Sequence, residues 1–200
     1  MTEQSTLPTA VASAVPAAHR QAKYQVRFDW AAEGARAVAE DADIVVWVDA
    51  LGDGAIDASA PDLAAIPGFG AVIAAGLTNP AAVAEWVLAE QVRLGRRAMI
   101  SIVAAGGATA GGSTRFAVED LLAAGAVVDA LAVVGIDYSS PEAAAACAAF
   151  TGLRGAVAHL LTASASGQDL VSAGVAPARI ASAGRAGTVD EVDVLRAATA

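Results

Sequence analysis

The sequence predicts an α/β fold, three-layered α/β/α, around a largely parallel or mixed sheet. Three observations predict it. Two continuous β-branched runs, "ADIVVWVDAL" (42–51) and "RAMISIVAA" (97–105), read as strands buried on both faces. Segments with helical patterning stand between the strands, the order that produces parallel strands joined by crossover helices. Hydrophobic residues make up 56% of the 200 residues but aromatics only 4%, so the core is expected to combine small residues on helices with Val, Leu and Ile on strands.

The elements follow in order. Residues 1–22 are polar, rich in Ala and Pro and without periodicity, and read as a disordered tail; residues 23–200 read as a single α/β domain. In "KYQVRFDW" the alternation predicts a strand at 24–28, and "AEGARAVAED" a helix ending near Asp41, with Asp29 as a capping candidate. After the run 42–51 comes a loop, 52–70, punctuated by Gly, Pro and Asp. "GAVIAAG" (70–76) is a short strand. Asn79 then stands where an N-cap is expected, with Pro80 at the first helical position and Gly95 as the stop. The strand in 97–105 leads into a glycine loop and a helix at 114–124. Ser140 and Pro141 open a further helical stretch, and 166–174 is a short helix ending at Gly174. The segments 178–184 and 191–197 suit either strands or short helices.

Composition excludes several functions. The net charge of −9 argues against nucleic acid, which selects basic faces. No apolar run in the sequence approaches the length of a membrane span; the longest, 42–51, is broken by Asp43 and Asp49. Cys147 is the only cysteine, so no internal disulfide forms, and with His19 and His159 as the only histidines a zinc site is not expected. The N-terminal stretch lacks the charge and apolar region of a secretory signal, and the cytoplasm is the expected compartment. His159, in an apolar helix, is expected to be partly buried, and Trp30, Trp47 and Trp86 to serve packing.

In sheets of this kind ligands bind beyond the carboxyl ends of the strands. That selects the loops after Asp49, after Ala75 and after Ala105. The last, "AAGGATAGGSTRFAVED", holds four glycines (Gly106, Gly107, Gly111, Gly112) followed by Ser113, Thr114 and Arg115. It is not a nucleotide loop: Gly112 stands where a P-loop needs Lys before its Ser. Amides at a helix start and an Arg side chain can hold an anion. Glu119 and Asp120 lie on the same helix but point about 100° apart, so one of them at most is expected to face a ligand. An ordinary strand-to-helix turn with solvated charges fits the same spacing. Asp53 and Asp57 follow Asp49 in a loop where "GDG" reads first as a turn.

Four segments in one order resemble the 2-phosphosulfolactate phosphatase family: "YQVRFDWAAEGARAVAEDADIVVWVDAL", "GLTNPAAVAEWV", "GGSTRFAVEDLLAAGAVV" and "TASASGQDLVSAG". The resemblance implies an α/β fold and Mg²⁺-dependent hydrolysis of a small phosphate monoester that also carries a sulfonate. It implies Asp49 as metal ligand or nucleophile and Asp120, or Glu119, as the second acidic contact. Ser113 and Arg115 would hold phosphate or sulfonate, as would a turn at Ser166 and Gly167; Asn79 is a substrate contact as well as a cap. The chain departs from the family in "AAGGATAGG", where polar positions have become Ala or Gly, and the connection after Asp49 looks shortened. These departures imply an alternative, a catalytically inactive relative with a binding or structural role. Alanine-rich faces such as 142–149 suit packing on the sheet or on a second copy, so a homodimer is open.

Overall fold

A computed structural model describes residues 15–52 and 61–199. The α/β expectation holds. Four parallel strands form the sheet: β1 (Val26–Trp30), β2 (Ile44–Val48), β3 (Ala71–Ala75) and β4 (Ile100–Ala104). Two short segments, β5 (Gly107–Ala108) and β6 (Thr114–Arg115), pair with each other as a separate hairpin, and β7 (Val194–Arg196) adds antiparallel to β3. The order is β1-β4-β2-β3-β7, so β2 lies between β4 and β3. The loops leaving the carboxyl ends of these three strands are therefore neighbours. Ala105 N donates to Val48 O at 2.8 Å and Asp49 N to Ala75 O at 3.2 Å, tying the three exits together.

Period-two alternation divides each strand between two apolar faces. On one face Val45, Trp47, Val72 and Val103 pack with Ala35 and Val38 of α1 (Ala31–Val38). On the other, Ile44, Val46, Ile73, Ile100 and Ile102 pack with α2 (Pro80–Leu94) and α3 (Val118–Val133), α4 (Pro141–Leu153) lies beside α3 against β1, and α5 (Val157–Ala163) packs on α3. The small helices α6 (Ala165–Ser172) and α7 (Pro177–Ser182) close that layer.

One buried charge organises the α1 side. Arg27, on β1, is fully buried; it pairs with Asp41, and its guanidinium donates to Val38 O at 3.1 Å and Tyr24 O at 3.2 Å. Ser101 Oγ donates to the same Val38 carbonyl at 2.6 Å. The α1 C-terminus ends inside the protein, and these two side chains satisfy the carbonyl that the helix leaves without an intrahelical donor.

Four expectations are corrected. Residues 15–22 are part of the fold: Ala17–Arg20 form a 3₁₀ turn, and the buried Gln21 donates through Nε2 to Phe28 O at 2.8 Å and accepts Phe28 N–H at 3.1 Å. This two-way amide contact anchors a segment that composition alone reads as tail; residues 1–14 lie outside the described residues. The first strand is displaced by two residues because Tyr24 N turns back to Gln21 O. The helix expected at 114–124 begins at Val118 and continues to Val133, because hairpin pairing holds 107–115 in extended form. The helical run Pro141–Ala163, at a mean hydropathy of 1.4, does meet the length and composition of a membrane span, but much of its hydropathy is alanine, it turns at Arg154–Ala156, and α4 packs Ala143, Ala146 and Phe150 inward.

Candidate functional site

Asp49 is the first residue after β2. Its carboxylate folds back over its own loop, accepting Leu51 N–H at 3.2 Å and Gly52 N–H at 2.6 Å through Oδ1. This is an Asx-type turn, so the capping reading of Asp49 is satisfied by the same atoms that hold the side chain still. Asp49 is buried, as are Glu119 and Asp120 in the first turn of α3.

Asp120 reaches across to both strand exits. Oδ1 accepts Ala50 N–H at 2.8 Å, and Oδ2 accepts Gly106 N–H at 2.9 Å. One carboxylate thus joins the loop after β2, the loop after β4 and the start of α3. Burial pushes its pKa up to about 7; the Asp49 and Glu119 charges add to the rise, and the two backbone N–H groups oppose it.

Asp49, Glu119 and Asp120 line one small cavity of about 10 Å³ with Gly52, Gly106, Gly107 and Ser166. Both acids of α3 face it, against the expectation that only one would. Their helix begins at the cavity itself, so two successive first-turn side chains reach the same loops. Gly106 closes one wall at φ +69°, and a Cβ there would fall 2.9 Å from Arg115 O. The site needs glycine for both conformation and space.

Arg115 borders this cavity. Its Nη2 donates to Ser166 Oγ at 3.3 Å, and its guanidinium lies against Gly107, whose added Cβ would be 2.7 Å from Nη2. Ser166, from a segment 51 residues away, is therefore brought to Arg115. Gly167 is placed differently. Its N–H donates to the N-cap Ser164 Oγ at 3.0 Å, and a Cβ would fall 1.9 Å from Leu161 O, so it receives the cap of α6 and lets α6 pack closely on α5.

Ser113 stands apart. It is exposed at the hairpin end, its Oγ 2.7 Å from Thr109 Oγ1, and it lines a shallow depression with Trp47 rather than the carboxylate cavity. The amides expected to open a helix there instead close a turn, with Thr109 N donating to Ser113 O. Asn79 does not cap α2 with its side chain; Oδ1 accepts Gly76 N–H at 3.0 Å and Nδ2 donates to Glu191 O at 3.2 Å. It lines a larger cleft of about 890 Å³ that also contains Asp49. Asp29 accepts the adjacent Trp30 N–H at 2.8 Å, and its side chain does not cap α1. His159 is exposed rather than partly buried. Asp53 and Asp57 lie outside the described residues.

Among the described residues, no three carboxylate, imidazole or thiol groups form a ready-made metal cage. Mg²⁺ needs less: it keeps several waters and is held by one or two carboxylates with substrate oxygens. Asp49, Glu119 and Asp120 offer carboxylate oxygens to one cavity, where burial first, and the neighbouring charges after it, drive Asp120 toward protonation.

The family model for 2-phosphosulpholactate phosphatase matches residues 63–198, about two thirds of the chain. The chain belongs to this family. The matched span carries Asn79, Arg115, Glu119, Asp120, Ser166 and Gly167; Asp49 precedes it and joins the site through β2 and the Asp120 bridge to Ala50. Family membership implies 2-phosphosulfolactate phosphatase-like activity. A comparison with curated proteins finds no match. Reasoning from the sequence missed the Gly106 and Ala50 amides as partners of Asp120. Backbone donors carry no signal in residue type, and only their 70- and 14-residue separations closed in space reveal them.

Proposed function

We propose that this chain is a Mg²⁺-dependent phosphatase of a small acidic phosphate monoester, 2-phosphosulfolactate, releasing sulfolactate and inorganic phosphate. The observation that supports it is the gathering of Asp49, Glu119 and Asp120 around one cavity at the carboxyl edge of the sheet. In this reading Asp49 and Glu119 hold the cation, with Asp120 beside them. When bound, Mg²⁺ polarises the phosphoryl group and neutralises developing charge. The chain's own residues do the rest. Arg115, steadied by Ser166, holds a phosphoryl oxygen at the cavity rim. Asp49, fixed by the Leu51 and Gly52 amides, is the carboxylate that faces the reacting phosphorus. Asp120 titrates near neutrality in the metal-free protein, the range suited to moving a proton to or from an ester or water oxygen.

The test is phosphate release from 2-phosphosulfolactate by the purified chain, with Mg²⁺ and again with chelator, beside Asp49→Asn. Chelator-sensitive release that the variant lacks supports the reading. Release equal to the variant's sinks it.

A second reading is a catalytically inactive relative. The smallness of the cavity and the absence of any cationic side chain lining it, among the described residues, favour this reading. It expects saturable Mg²⁺ binding by calorimetry without turnover across a panel of phosphate esters; turnover of any one of them removes it.

A further inference from the structure

The cleft of about 890 Å³ opens at Asp49 and runs past Asn79 to the last quarter of the chain, where Arg179, Arg185, Glu191 and Asp193 line it. Its size is that of a small-molecule site. Its outer wall is fixed to β3. Thr188 N and Val189 N donate to Thr78 O at 3.0 and 3.2 Å, Asn79 Nδ2 to Glu191 O at 3.2 Å, and Ala74 N to Asp193 O at 2.9 Å. The segment leading into β7 is thereby held at the exit of the strand next to the one that carries Asp49.

Like Arg36 and Arg97, Arg179 and Arg185 have no carboxylate partner among the described residues, but of these four only Arg179 and Arg185 line the cleft. Arg20, Arg27, Arg93, Arg96 and Arg154 are each paired with a carboxylate, and Arg196 is spent on the carbonyls of Leu63, Ile66 and Gly70. Arg179 and Arg185 enter no ion pair among the described residues, although Glu191 and Asp193 line the same cleft. Guanidinium groups left open beside a cavity are suited to planar, multi-point recognition of an oxyanion. The carboxylates of Glu191 and Asp193, and that of Asp49 when no cation is bound beside it, disfavour an anion elsewhere along the walls, so the cation-free cleft is polarised, with its anion-accepting end at α7.

We infer that Arg179 and Arg185 form the specificity end of the site and bind the substrate's second anionic group, a sulfonate or carboxylate, while the phosphate lies toward Asp49. This rests on the phosphatase reading for the phosphate end only; the arginine end would bind the dephosphorylated product in an inactive relative as well. Substrates with a neutral tail have no partner for the arginines and gain nothing from them.

The experiment is calorimetric titration of sulfolactate into the full chain with Mg²⁺ present, comparing the parent protein with the Arg179→Gln/Arg185→Gln double variant. Both side chains are exposed, so the variant should keep its melting temperature. Arg36→Gln/Arg97→Gln, exposed arginines outside the cleft, removes the same net charge and serves as the control. The expected result is saturable binding by the parent, weakened about tenfold or more in the cleft variant and within about twofold in the control. Absence of sulfolactate binding by the parent overturns the inference, as does equal binding by the cleft variant or equal weakening by both pairs. Phosphate release is measured separately. Arginine-dependent binding without release keeps this inference and rejects the phosphatase reading, while release with arginine-independent binding does the reverse.

Discussion

Asp120 accepts the backbone N–H of Ala50 at 2.8 Å, across 70 residues of sequence, and so fixes the residue next to Asp49. Its other oxygen holds Gly106. Replacing Asp120 by Ala leaves two N–H groups in a closed site without acceptors. Each such loss costs about 1–3 kcal/mol. Denaturant unfolding of Asp120→Ala at pH 5, below the raised pKa, should therefore show a loss of about 2–6 kcal/mol, and at working pH phosphate release should be lost, because the loop carrying Asp49 is no longer held. Unchanged stability would show that the bridge is not formed in solution.

The same carboxyl group sets a pH dependence. Its folded pKa of about 7 lies above the ordinary carboxylate value, so between about pH 4 and 7 the native state holds a proton that the unfolded chain has released. Its contribution is fully present below the unfolded pKa and is lost as pH rises through 7. The melting temperature of metal-free protein is expected to fall from pH 5 to 8, and Mg²⁺ is expected to restore it at the upper end. Asp120→Asn should flatten the slope. A metal-free melting temperature that rises over this range contradicts a burial cost at Asp120 that outweighs its two backbone hydrogen bonds.

Glu119→Gln keeps the size of a buried side chain and removes its charge. Mg²⁺ affinity by calorimetry is expected to fall about tenfold or more, roughly the worth of one charged ligand, with phosphate release falling alongside it. Affinity equal to the parent's would remove Glu119 from the cation site.

Arg115 and Ser113 are two residues apart but occupy different surroundings. Arg115→Gln breaks the contact with Ser166 and removes the cation nearest the carboxylate cavity, so KM for the phosphate ester should rise about tenfold. Ser113→Ala, at the exposed hairpin end, should alter kinetics and stability by less than about 0.5 kcal/mol. Equal effects of the two substitutions would mean that the hairpin folds over the site.

Arg27 tests the other face of the sheet. Arg27→Ala leaves the Val38 carbonyl with Ser101 alone and opens space at a fully buried position. A loss of about 2–4 kcal/mol is expected by chemical denaturation. Because Asp41 is largely exposed, the loss comes mainly from the carbonyls and the space rather than from the ion pair.

The sequence alone determined that the sheet is built from largely parallel strands and where three of them lie, β2, β3 and β4. The run 44–48 is apolar at every position and 100–104 at all but Ser101, and that pattern has one stable solution, burial on both faces. It also determined that Asp49 ends such a strand. The run of neighbouring strands is a different matter. The position of β2 between β4 and β3 decides that Asp49, Ala50 and Gly106 meet the first turn of α3, and strand order is set by packing between distant segments. The same holds for Ser113. Its spacing suits an anion-holding helix start, but hairpin hydrogen bonds between Gly107–Ala108 and Thr114–Arg115 move the start to Val118 and carry Ser113 away. Arg179 and Arg185 gave no signal in the chain, since an arginine reads the same whether paired or open. Only the tertiary structure decided that they line a cleft with Asp49, because backbone bonds to Thr78 O and the side-chain amide of Asn79 bring the C-terminal segment to the strand exits. Local periodicity fixes what a segment becomes; long-range hydrogen bonds fix which side chains share a cavity.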